Sequence, residues 1–364
     1  MAYSPDIPYN DLPLLSQKYD FVDAEVLYKV VEASRKLAEL KGLCTSLPDP
    51  ALLVNTILLQ ESRDSSAIEN IVTTQDELYQ ALTEEENSAG NAKEVLRYRE
   101  ALYRGLDNMH EKQNLITSTT MVEIVQGIKQ NQAGLRSQPG TVLKSSGGKT
   151  IYTPPCCEDV IREKLSNLEE FINDDRFCNI DPLIKLAILH YQFEAIHPFS
   201  DGNGRTGRIL NTLYLVQQEL LPFPVLYLSA YISEYKSEYY RLLREVTEKN
   251  NWKEWCLFIL NAVAETAQLT ISKIKGIQSL MSELQPIMQN VLGSSYKHEL
   301  FALMFSTPYL KIELLERHKI AHRETASKYL KQLTANAILQ PVKKGRTTYY
   351  VNQRLMEIIS NRNE

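Results

Sequence analysis

The sequence has no C-x-x-C pair, and its five cysteines (Cys44, Cys156, Cys157, Cys178, Cys256) follow no regular spacing. Neither a zinc site nor a disulfide framework is expected, and the thiols read as free ones in a reducing cytosol. No run of about 18 apolar residues occurs, so no membrane span or membrane partner is expected. The opening stretch MAYSPDIPYNDLPLL lacks the basic and apolar regions of a secretory signal. A cytoplasmic location is the expectation. Internal repeats and low-complexity tracts are missing as well. The net charge of -5 argues against a chain that coats nucleic acid along its whole length. What remains is 364 residues of ordinary composition, enough for a sizeable core and two domains or more.

Strand signals are few and helical periodicity dominates. Residues 24–40 place Val26, Leu27, Val30, Val31, Ala33, Leu37 and Leu40 on one broad apolar face. Similar patterns recur at 51–61, 92–107, 119–130, 158–173, 182–196, 205–219, 235–247 and 252–290. Within 139–153, two short β-prone runs flank Ser145-Ser146-Gly147-Gly148, which predicts a hairpin closed by Pro154-Pro155. Toward the C-terminus, HELFALMF, IELLERH and RETASKYLKQLTANAIL precede a second hairpin with its turn at Lys343–Arg346. Three helices and a hairpin resemble a winged helix-turn-helix. Residues 301–350 carry nine basic side chains against Glu313, Glu316 and Glu324, a basic segment within an acidic chain.

The densest chemistry lies in HPFSDGNGRTGR, residues 197–208. Gly202, Gly204 and Gly207 spell the G-x-G-x-x-G of dinucleotide binders, but that motif must follow a strand. Here Asp181 is a helix N-cap and Pro182 a first helical residue, so the preceding segment is a helix. A helix–loop–helix anion cradle fits instead. Glycines admit a bulky anion, the second helix offers free N–H groups, and Arg205 and Arg208 offer forks for phosphate oxygens. Asp201 is a hard ligand for Mg²⁺, and His197 is a general base of near-neutral pKa. Together these compose a phosphoryl- or nucleotidyl-transfer site. His190, Glu194 and His197 share a helix face, but their spacing is not H-E-x-x-H, so zinc is not expected and His190 reads as a packing residue.

The stretch resembles the Fic family signature H-x-F-x-[D/E]-G-N-G-R-x-x-R at every fixed position. The resemblance covers roughly residues 50–260 and implies a protein adenylyltransferase, which moves AMP from ATP to a Ser, Thr or Tyr hydroxyl of a target protein and of itself. By it, His197 would be the catalytic base and Asp201 the Mg²⁺ ligand. The nucleotide would be bound by Gly202, Asn203, Gly204, Arg205, Thr206, Gly207 and Arg208. Asn203 and the loop amides would hold the α-phosphate, Arg205 the β-phosphate and Arg208 the γ-phosphate, with Phe199 pointing into the core. The hairpin at 141–152 would be the flap on which the target protein docks by strand addition. Tyr239 and Tyr240 would border the adenine.

Ser65-Ser66-Ala67-Ile68-Glu69-Asn70 further resembles the family's inhibitory motif [S/T]-x-x-x-E-[G/N]. Glu69 would then pair with Arg208 and take the place of the γ-phosphate. The expected fold is mainly α: a Fic-type helical bundle with a small hairpin flap and a C-terminal winged-helix-like domain. The expected division is an N-terminal helical region 1–110 with the inhibitory helix around 60–70, a catalytic core 111–262, a connecting helix 263–295, and the winged-helix-like domain 296–364. For that last domain, DNA binding through Arg323, Lys328, Lys331 and the wing stands beside self-association as a homodimer. Two other functions stay open. One is AMP removal or phosphorylation on the same scaffold. The other is an ATP-sensing DNA-binding regulator.

Overall fold

Residues 3–45, 50–84, 90–132, 134–145 and 147–361 are described by the computed structural model; Ser146 of the expected hairpin loop lies outside them. Helices α1 (Ala24–Thr45), α2 (Pro50–Ile68), α3 (Gln75–Glu84), α4 (Gly90–Glu111) and α5 (Ser118–Lys129) form the first part. Strands β1 (Leu143–Lys144) and β2 (Thr150–Tyr152) make the short hairpin. Then follow α6 (Glu158–Asn173), α7 (Pro182–Ile196), α8 (Asn203–Gln217), α9 (Ser229–Glu234), α10 (Lys236–Lys249) and α11 (Trp252–Leu292). The C-terminal part holds α12 (His298–Ser306), β3 (Tyr309–Leu310), α13 (Ile312–Arg317), α14 (Arg323–Ala335), β4 (Gln340–Lys344), β5 (Thr347–Val351) and α15 (Gln353–Ser360).

Helix α7 lies at the centre. Asp181 caps it by accepting from the Leu183 amide at 2.8 Å, and all its residues except Pro182 and Glu194 are buried. A helix that is apolar all round is a core helix. It packs on α6, α8 and α11. Helix α1 lies along α11 and buries Val26, Val30, Ala33, Leu37, Leu40 and Cys44. Its apolar face is narrower than the periodicity predicts: Leu27 and Val31 are 48% and 46% exposed, because one neighbouring helix covers only one stripe.

Helix α3 is not foreseen by apolar periodicity. Its signal is a capping box, Thr74-Gln-Asp-Glu77: the Glu77 amide donates to Thr74 Oγ1 at 3.2 Å and the Thr74 amide to Glu77 Oε2 at 3.0 Å. The periodic stretch 235–247 belongs to α10, with α9 set apart before it. The boundary expected at 262/263 falls inside α11, which runs unbroken for 41 residues. Among the described residues this is the one helix long and apolar enough to cross a membrane, yet 67% of its most apolar stretch is buried within the protein.

The C-terminal sheet is antiparallel, ordered β3-β5-β4. Gly345, at φ +60, makes the tight turn between β4 and β5. This domain is rooted in the N-terminal helices. Tyr309 stacks on Tyr79 at 6.0 Å and 4°, its hydroxyl donates to Asp76 at 2.5 Å, and Leu59, Leu78, Tyr349 and Met356 complete the apolar cluster around the pair.

Candidate active site

The loop between α7 and α8 begins at His197, which caps α7 in the left-handed region (φ 50, ψ 57). A β-carbon-bearing residue holds that conformation only where its surroundings enforce it. Arg136 does so here. Its Nε donates to the His197 carbonyl at 2.7 Å and its Nη2 to those of Ile196, at 3.2 Å, and Pro155. A buried guanidinium thus closes the carbonyl end of α7. The imidazole is half-buried. Burial, aided by the Arg136 charge, lowers its pKa to about 4, so the ring is neutral at physiological pH. Its Nδ1 has no protein partner.

Gly202, at φ +85, is the N-cap of α8. The first intrahelical bond runs from the Thr206 amide to the Gly202 carbonyl at 3.0 Å, so the amides of Asn203, Gly204 and Arg205 precede the helical ladder. Such a helix start, with its N–H groups outside the ladder, is the end that favours negative charge. Not every glycine and polar residue of the motif faces it. The Asn203 side chain donates to the Phe199 carbonyl at 2.8 Å and accepts from the Phe199 amide at 2.9 Å. Its amide group is therefore spent on closing the loop and does not reach for an α-phosphate. Phe199 itself is buried. Thr206 is fully buried with its amide used in the ladder. Gly207 faces α7, where a β-carbon would lie 2.5 Å from Glu194 Oε1 and 3.0 Å from Phe193. Asn203, Thr206 and Gly207 thus shape the loop instead of lining a ligand site.

The three charged side chains each meet a partner from an earlier helix. Asp201 accepts from Lys129 of α5; burial would raise its pKa, but Lys129 and the Gly202 amide hold it below the usual range. Arg205, only 2% exposed, donates through Nη1 to Glu94 of α4 at 2.7 Å. Arg208, equally buried, donates through Nε to Ser65 Oγ at 2.8 Å and through Nη2 to the Ser65 carbonyl and Glu69 Oε1, both at 2.9 Å. Burial works against the Arg208 charge, yet Glu69 and its other neighbours raise the pKa overall.

Glu69 ends α2 in a Schellman turn. The Ile71 amide donates to the Ser66 carbonyl and the Asn70 amide to Ala67, both at 3.0 Å, with Asn70 left-handed at φ 62. The motif positions gain physical reasons: serine accepts from the arginine, and asparagine tolerates the turn. A β-carbon at Gly204 would lie 2.3 Å from Glu69 Oε1, so only glycine lets the carboxylate lie over the start of α8.

A cavity of about 170 Å³ opens beside this pair, lined by His197, Gly204, Glu69, Glu194, Tyr240, Leu243 and the hairpin residues Leu143 and Ile151 among others. It is smaller than the roughly 300–1,000 Å³ usual for small-molecule sites. The Tyr152 hydroxyl donates to the Ala195 carbonyl at 2.7 Å and so fastens the hairpin to the end of α7. Tyr240 lines the cavity, but Tyr239 does not: it is 1% exposed and its hydroxyl meets His190 Nε2 at 3.0 Å. The adenine role expected for Tyr239 is therefore corrected to a buried support. Glu194 and Glu61, both near Arg208, have pKa values raised to about 7 by burial. Glu61 accepts from the Tyr98 hydroxyl at 3.0 Å and from Ser229.

Glu94, Lys129 and Arg136 carry this geometry without having been singled out in the sequence, whereas Ser65 was named only as a motif position and Glu194 only as a face-mate of His190 and His197. Glu94, Lys129 and Arg136 lie in helices or loops with no spacing that marks them.

Residues 115–215 match the profile of the Fic/DOC family, and residues 27–107 that of the Fic/DOC family N-terminal region. The chain carries Fic/DOC family domains. Residues 280–355 of this Fic protein match the profile described as the C-terminal domain of protein adenylyltransferase SoFic-like proteins. It is 36% identical over 89 residues to protein adenylyltransferase fic-1 of Caenorhabditis elegans, which takes in 24% of this chain and 16% of that one. It is 28% identical over 105 residues to protein adenylyltransferase Fic of Drosophila erecta, 29% of this chain and 20% of that one. The chain thus spans about a fifth or less of the length of these curated relatives. In fold it is similar to a Fic family protein from Desulfovibrio desulfuricans G20 (TM-score 0.58, 18% identity, 93% of this chain and 98% of that one). It is also similar in fold to C. elegans Fic-1 (TM-score 0.52, 21% identity, 68% and 74% of the two chains).

Proposed function

We propose that this Fic protein transfers AMP from Mg·ATP to a hydroxyl side chain of a protein, itself included, and that Glu69 restrains it. The observation that carries the reading is one cavity lined by the neutral His197 ring, by Gly204 at the start of α8 and by Glu69, whose carboxylate is paired with Arg208 behind it. The target hydroxyl gives its proton to the His197 ring as its oxygen attacks the α-phosphorus. The α–β anhydride bond breaks, and pyrophosphate leaves with the electron pair. The amides of Gly204 and Arg205 face the α-phosphate charge, and Arg205 and Arg208 face the leaving group.

Asp201 fits a Mg²⁺ ion: its side chain is 63% exposed, and its partner Lys129 is a cation that the metal can replace. Mg²⁺ usually binds through one or two carboxylates plus substrate phosphates, and it would neutralise leaving-group charge here. Tyr240, Leu243, Leu143 and Ile151 offer apolar walls for the adenine. The hairpin, with its two strands, offers an edge on which an extended target segment can pair.

In the restrained state Glu69 occupies one edge of the Arg208 fork, so a γ-phosphate finds no guanidinium, and the triphosphate settles out of line. Intact-protein mass spectrometry after incubation with Mg·ATP tests the whole reading. Glu69→Gly gains one AMP mass, wild type gains little, and Glu69→Gly/His197→Ala none. A phosphate mass instead overturns the reaction; no adduct in any variant overturns transfer to itself.

A second reading adds duplex DNA as a partner. Arg323, Lys328 and Lys331 of α14 and Lys343 and Arg346 of the wing are exposed, as a recognition helix and wing require. A salt-sensitive shift of duplex DNA in a gel supports it, and no shift at low salt ends it.

A further inference from the structure

Glu69 is not alone in meeting a loop arginine. Arg205 is 2% exposed, and its Nη1 is held at 2.7 Å by Glu94, a residue 30% exposed. Its Nε is buried without any partner. A buried guanidinium needs a counter-ion, and Glu94 is the carboxylate the fold provides. The two carboxylates differ in their mounting. Glu69 sits in the turn that ends a helix. Glu94 sits within α4, which is wedged against its neighbours. A β-carbon on Gly127 of α5 would lie 3.1 Å from Ala101, and one on Gly105 would lie 3.0 Å from Ile124 and 3.1 Å from Leu213 of α8. One turn after Glu94, Tyr98 is fully buried and donates to Glu61. Helix α4 is therefore held along its length by close contacts on two sides, whereas Glu69 lies at a helix end.

We infer that Glu94 is a positioning residue for nucleotide binding. It pins Nη1 of Arg205, which fixes the plane of the guanidinium and leaves the edge bearing the unpartnered Nε for the β-phosphate of a nucleoside di- or triphosphate. This rests on the reading of the loop as a Mg·ATP site. A planar fork with one nitrogen held, on a side chain itself buried, keeps few orientations, so Arg205 meets the polyphosphate largely aligned. Glu94 stays in place when the nucleotide arrives, unlike Glu69, whose place the nucleotide takes.

The test is calorimetric titration of Mg·ATP and of AMP into full-length Glu69→Gly, alone and combined with Glu94→Ala, Glu94→Asp, Arg205→Ala, and Glu94→Ala with Arg205→Ala. Glu94→Ala weakens Mg·ATP binding about tenfold or more, a usual loss when the partner of a ligating group is removed, and leaves AMP binding unchanged. Glu94→Asp keeps the charge but retracts it, and shows the same selectivity should Glu94→Ala fail to fold. In the Arg205→Ala background, Glu94→Ala has no further effect. Tighter Mg·ATP binding by Glu94→Ala overturns the inference, because Glu94 would then compete with phosphate. Equal weakening of ATP and AMP also overturns it, in favour of a structural role. If Glu69→Gly binds ATP with the Glu94 dependence but transfers no AMP, the proposed function fails and this inference stands. If Glu69→Gly binds neither nucleotide, both fall.

Discussion

Burial and the Arg136 charge move His197 away from the near-neutral pKa that the sequence suggests for a general base. Its pKa, lowered from 6.5 to about 4, leaves the base unprotonated through the physiological range. Self-modification by Glu69→Gly therefore holds level down to about pH 5 and falls only as the ring protonates below that. A fall centred near pH 6.5 in the rate profile would contradict this assignment. The same shift acts on stability. The folded pKa lies below the unfolded one, so between pH 6.5 and 4 the unfolded chain binds more protons, and acidification through that window destabilises the fold. Arg136 supports the same residue from outside the motif. Arg136→Ala strips three carbonyls of their donor and costs about 2–4 kcal/mol, to be read as a lower denaturant midpoint. The side chains of HPFSDGNGRTGR were legible because their chemistry is packed into consecutive positions. Glu94, Lys129 and Arg136 were not, because only the tertiary fold brings helices and loops from far along the chain onto that loop. Asn203, Thr206, Gly207 and Tyr239 were assigned to the ligand by motif membership, whereas packing between α7 and α8 and beneath α10 claims them.

At the scale of elements, the end of α2 decides where Glu69 lies. Asn70 holds a left-handed conformation, which costs a β-carbon-bearing residue other than Asn or Asp about 1–2 kcal/mol. Asn70→Ala should therefore fray the turn, loosen Glu69 from Arg208 and raise AMP transfer by the otherwise wild-type chain. Asn70→Gly should keep it restrained. Initial rates of adduct formation compare the two; equal rates in both variants would separate the turn from the restraint. Most elements could be read from periodicity, α6 and α7 to the residue. Helix α3 was missed because its short apolar pattern is weak and its capping box was the stronger signal. Helix α1 was read with too wide a face because periodicity reports which residues are apolar and not how many neighbours cover them.

At the scale of the molecule, the C-terminal domain and the helix bearing the restraint share a core. Leu59 of α2, Tyr79 of α3, and Tyr309 and Tyr349 of the sheet belong to one apolar cluster. Tyr309→Ala removes the stacked ring and the bond to Asp76, at a cost of about 3–5 kcal/mol. It should lower the thermal midpoint. It should also raise AMP transfer in the wild-type background while leaving Glu69→Gly unchanged, which paired rate measurements would reveal. No rise in the wild-type background would mean that the domain does not steady α2. This cluster was invisible in the sequence, which showed a basic winged-helix pattern but nothing of the surface it rests on.

Helix α11, about 60 Å long at 1.5 Å per residue, runs beside α1, α7, α10, α14 and α15 and passes from the Fic core into the C-terminal domain without an interruption. The chain accordingly has no seam between its two halves. A protease, a recombination event or a cloning scheme that divides it anywhere along this rod leaves each fragment with half of an apolar stripe that was made to be covered. Division after Leu292 keeps the rod whole but still bares the stripe that α14 and α15 cover and splits the cluster of Tyr79 and Tyr309, so it too leaves both fragments with incomplete cores.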